Sequence, residues 1–143
     1  MHAFEPSSGN LWFIARHLHW NGITNTTVHP YALSSFEGES RFGGCGTSKT
    51  YALDGGDECV RVCTGQSLIV GGTRAPTFAK LDVEGAEASV LAGMIGMLRR
   101  DTILLIAVHS RAAYDGCEAP NYLSGIVSTG GRSSRRRCGP SPR

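Results

Sequence analysis

No apolar run in this 143-residue chain is long enough to cross a membrane. The longest, residues 103–108, falls far short, so no membrane partner is expected. The opening Met-His-Ala-Phe-Glu-Pro lacks a basic stretch followed by an apolar one, which argues against a secretory leader. Five cysteines occur, at 45, 59, 63, 117 and 138, and none forms a CxxC pair. Cys59 and Cys63 are four apart with no second pair at ligand spacing. Neither a zinc site, nor any other metal, nor a disulfide framework is expected; reduced thiols in a cytoplasmic setting are. No internal repeat is visible. Acids are missing from Ser128 onward, where five arginines lie at 132, 135, 136, 137 and 143. The net charge is +2, so with those five set aside the remainder carries −3.

What is present suits one soluble domain: 41% hydrophobic residues, 18% charged, and 19 glycines to supply turns. Ala3-Phe4 reads as the end of a strand. Ser7 or Ser8 can cap a helix carrying Leu11, Ile14, Ala15 and Leu18, and Gly22 can end it. Trp12 and Trp20 are expected to pack, and His17 and His19 to face solvent on different sides. Residues 26–33 are strand-like, interrupted at Pro30. Residues 39–42 and 59–64 read as short strands around a glycine-rich loop at 43–57, and Gly71-Gly72 marks a turn. A strand is expected over 77–83. A helix from about 86 to 100 follows, with Val90, Leu91, Met94, Met97 and Leu98 as its apolar stripe. Residues 102–108 suggest a strand buried on both faces of a parallel sheet, ending at His109. Strands alternating with helices point to an α/β domain over residues 1–123. Residues 124–143 read as a disordered basic tail.

The chain is organised around Lys80-Leu81-Asp82-Val83-Glu84-Gly85-Ala86-Glu87. Three carboxylates and a lysine sit where a strand hands over to a helix, and ligands of open α/β sheets gather at the carboxyl ends of strands. A plainer account is a solvated turn whose acids favour a helix N-terminus.

Ala3-Phe4-Glu5-Pro6, Asn21-Gly22-Ile23, Ala32-Leu33-Ser34, Phe78-Ala79 with the block above, Val90-Leu91-x-Gly93 and a strand ending at His109 together resemble the FkbM family of S-adenosylmethionine-dependent methyltransferases. The resemblance implies a Rossmann-like class I methyltransferase domain and transfer of a methyl group to a hydroxyl of a small molecule or sugar. It implies that Glu5 holds the cofactor ribose, since a carboxylate can accept both hydrogen bonds of a vicinal diol. Tyr31, Ala32 and Leu33 would border the adenine. Asp82 or Glu84 would position the acceptor hydroxyl or take its proton, with Lys80 projecting from the same strand face.

The chain also departs from the family pattern. The glycine-rich cofactor loop expected ahead of Ala3 is missing, as are the final strands. Ala107 stands where an acid is usual, and Gly65-Gln66 where Leu-Asp is. The domain is therefore expected to be incomplete at both ends, and a catalytically inactive fragment is the alternative. Two other readings have less behind them. Gly43-Gly44-Cys45-Gly46-Thr47-Ser48-Lys49-Thr50 is one residue from a P-loop but lacks the strand–helix context. The arginine tail has no interleaved aromatics, so nucleic acid is not the expected partner.

Overall fold

The computed structural model describes residues 1–44, 51–53 and 56–108. Strand β1 (His2–Phe4) lies parallel to β2 (Thr27–His29), with Phe4 opposite His29. Parallel neighbours need a crossover, and α1 (Ser8–Trp20) supplies it. Ser7 has an extended backbone, and its Oγ accepts the Asn10 N–H at 3.5 Å. This is the expected serine cap. The helix closes at Asn21, and Gly22 turns the chain with φ 62°. Pro30 divides the strand expected over 26–33. β2 stops at His29, and β3 (Ala32–Leu33) joins a different sheet.

That second sheet has the order β3-β6-β4-β5. β6 (Glu58–Cys63) runs parallel to β3 and antiparallel to β4 (Gly38–Gly44), which in turn pairs with β5 (Tyr51–Leu53). β5 falls inside the stretch read as a loop. Three residues carry no period, and only the pairing with β4 makes them a strand. α2 (Gly65–Val70) was also not anticipated; six residues are too few for a helical stripe. Thr64 caps it, its Oγ accepting the Ser67 N–H at 3.1 Å.

The third sheet pairs β7 (Phe78–Leu81) in parallel with β8 (Ile103–Ile106), and α3 (Glu87–Met94) crosses between them. α3 is eight residues long, shorter than the 86–100 expected. Gly93 and Gly96 weaken helix propensity there, and the chain leaves through a turn in which the Met97 and Leu98 N–H groups both reach the Met94 carbonyl. The apolar stripe survives the shortening. Val90, Leu91, Met94 and Met97 form the core with Leu81, and Leu98 packs against them half-buried.

Two expectations of burial fail. Ile103 and Leu105 are 64% and 51% exposed, so β8 is covered on one face only. Alternation points Leu104 and Ile106 at the core and turns the other two away. Trp12 and Trp20 do not pack inside; they are 54% and 63% exposed, and α1 buries no residue. Half-buried Leu11, Ile14 and Leu18 occupy the inward side of that helix instead. Among the described residues the fold is mixed α/β with three small sheets. His109, residues 45–50 of the P-loop-like run and the 124–143 tail lie outside the described residues.

Candidate functional site

β7 delivers the carboxylate turn. Lys80 projects from the exposed side of the strand, and its Nζ meets Asp82 Oδ2 at 2.6 Å, so the two do share a face. The Ala86 N–H then closes back on the Val83 carbonyl at 3.2 Å. Between them Glu84 has φ 52°, the one positive φ among the described non-glycine residues. Left-handed backbone costs a side-chain-bearing residue about 1–2 kcal/mol, and such strain tends to mark functional positions. Gly85 follows at φ 105°. Glu87 is fully buried, and its Oε1 accepts the Gly85 N–H at 3.1 Å. The three acids thus divide. Glu87 holds the turn from beneath, while Asp82 and Glu84 stand exposed at the carboxyl end of a parallel strand.

Glu5 lies just past β1. Its N–H donates to the His29 carbonyl at 3.1 Å, and its Oε1 accepts the Ser7 N–H at 2.8 Å. This fastens the entry of α1 and aims the carboxylate along an open groove of about 360 Å³. Asn10, Phe13, Ile14 and His17 also line it. The groove is mostly apolar, with Glu5 its acid.

Tyr31 opens instead on a second cleft, of about 310 Å³, shared with His29, Glu37, Arg61, Cys63 and Ser67. The Tyr31 hydroxyl is 2.8 Å from His29 Nδ1, and His29 Nε2 is 2.8 Å from His2 Nδ1. Phe4 stacks on the His29 ring with centroids 4.7 Å apart. Burial pulls the His29 pKa below its ordinary value, and the His2 charge adds to this. The Arg61 guanidinium lies 5.5 Å over the Tyr31 ring. Glu37 accepts from the Thr64 hydroxyl at 2.7 Å and the Thr64 N–H at 2.6 Å. Those bonds, chiefly the hydroxyl's, hold its carboxyl below the usual range. Burial pushes the Cys63 thiol upward.

Of the expected adenine-bordering residues, only Tyr31 lines this cleft. Ala32 is buried and Leu33 is half-buried against the core, and neither lines the cleft. The structure therefore joins Lys80 to Asp82, but sets Glu5 and Tyr31 on separate clefts. Neither cleft is lined by the carboxylate turn. The sequence reading missed His29, Glu37 and Arg61. His29 was legible as the strand neighbour of Tyr31 two residues on; Glu37 and Arg61 carried no local signal. No family model, curated protein or solved structure matches the chain.

Proposed function

We propose that this chain is an S-adenosylmethionine-dependent methyltransferase acting on a hydroxyl of a small molecule or carbohydrate. The observation that carries the reading is the strained turn after β7. A block resembling the family's most specific motif folds as strand, left-handed glutamate and helix, beside a parallel strand. The Ala3-Phe4-Glu5 segment supports it as a strand end with a parallel partner and a capped crossover helix. Such a cofactor supplies an electrophilic methyl group when bound. Glu5 fits its ribose: the carboxylate faces a groove and accepts one N–H within the chain, and a carboxylate has acceptor capacity for two more bonds. Tyr31 would border the adenine. Asp82, steadied by Lys80, or Glu84 would orient the acceptor hydroxyl and take its proton as the methyl moves. Placement matters more here than any covalent enzyme group.

Calorimetric titration with S-adenosylhomocysteine tests this. Binding that disappears in Glu5→Ala is the expected result. The separation of the two clefts favours the alternative, an inactive methyltransferase fragment. A folded chain that binds neither S-adenosylmethionine nor its product would establish that alternative.

A further inference from the structure

We infer that the outer face of α1 docks on anionic lipid surfaces. Both tryptophans of the chain lie on this helix, and both are exposed, as is Phe13 at 57%. Residues 12, 16 and 20 recur every four positions and so follow one line along the helix, about 12 Å long at 1.5 Å per residue. The Arg16 guanidinium bridges the line, 4.5 Å over Trp12 and 5.0 Å over Trp20. The Trp12 and Phe13 rings meet edge to face at 4.9 Å. Cation–π contacts of this kind hold the rings ordered before anything binds. Ser8–Trp20 contains no Asp or Glu, while Arg16, His17 and His19 lie along it. Phe13 and His17 border the groove that holds Glu5, whereas Trp12, Arg16 and Trp20 lie outside its lining, so the 12–16–20 line is aromatic with Arg16 as its charge.

That combination selects its occupant. Trp and Phe settle at the boundary between headgroups and acyl chains, and a cation beside them meets anionic headgroups. Nucleic acid would need several phosphate contacts, and this face offers one permanent cation. A second copy meeting through the centre of this line would set Arg16 against Arg16 across a two-fold axis. No helix among the described residues is long and apolar enough to span a bilayer. Contact is thus with the surface, which needs no spanning segment; the expectation of no membrane partner rested on the lack of such a segment and does not extend to surface docking.

The test uses the full chain, phosphatidylcholine vesicles with and without phosphatidylserine, and co-sedimentation. Tryptophan emission reports on this face alone, because the chain has no other tryptophan. We expect a blue shift and co-sedimentation with the anionic vesicles only. Arg16→Gln should weaken binding about fivefold, and Trp12→Ser with Trp20→Ser about tenfold or more, with unchanged circular dichroism. Four results would overturn the inference. One is no binding to anionic vesicles. Another is binding untouched by the tryptophan changes but lost in Arg135→Ser/Arg136→Ser/Arg137→Ser. The third is a concentration-dependent blue shift without lipid, which would mean self-association. The last is an equal, saturable shift with a single-stranded oligonucleotide.

Discussion

At Glu84 the backbone conformation and the side chain pull in opposite directions. Its φ of 52° suits glycine, yet a carboxylate stands there. Glu84→Gly should therefore leave the fold intact and raise its stability by up to about 1 kcal/mol in urea unfolding. The same change should abolish methyl transfer if this carboxylate handles the acceptor hydroxyl. Equal loss of stability and activity would reduce it to a turn residue. His29 carries a second prediction at this scale. Its pKa is lowered by burial and then by His2, so the folded state resists its protonation. In the unfolded chain it titrates near the ordinary value of about 6.5, and there it binds more protons than in the fold. Stability should fall as pH drops below that value and level off beneath the folded pKa. Thermal melts of His29→Phe should show a flatter pH dependence across the same window. An unchanged slope would assign the acid sensitivity elsewhere.

Among the elements, α3 is placed by close approach. A Cβ at Gly93 would collide with the Ser34 carbonyl oxygen, which is backbone and cannot swing aside. Gly93→Ala should cost about 2 kcal/mol or more by overpacking, although alanine is the better helix former. Chemical denaturation of that variant decides the sign. Gly65 plays the same part across α2 and α3, where a Cβ would press on Met94 and Met97. A larger residue at position 65 would not fit this packing, a constraint that the sequence alone did not disclose. What could be read in advance was whatever local chemistry dictates: the serine cap of α1, the break at Pro30 and the apolar stripe from Val90 to Leu98. The length of α3, the existence of β5 and the outward turn of Trp12 and Trp20 depend on distant partners, which no local window contains. The site divides the same way. The Lys80–Asp82 pair followed from strand alternation. The cleft formed by His29, Glu37 and Arg61 exists only because β3 and β6 pair.

For the molecule as a whole, burial is uneven. α3 sinks Val90, Leu91 and Met94 into the core, while α1 buries nothing. Amide exchange should therefore be slowest in β7, α3 and β8 and faster in β1, α1 and β2, because local opening follows buried apolar contact. Uniform protection across both groups would contradict this. The three parallel pairings also bear on how the chain folds. His2 meets Thr27, Ala32 meets Val62, and Phe78 meets Ile103. Each closes a loop of nearly the same span, and closure entropy grows only slowly with length. No one of the three has a head start from chain length. Which closes first is then set by what lies inside each loop: a capped helix in the first, a hairpin in the second, and in the third a helix that brings Val90, Leu91 and Met94 to the core.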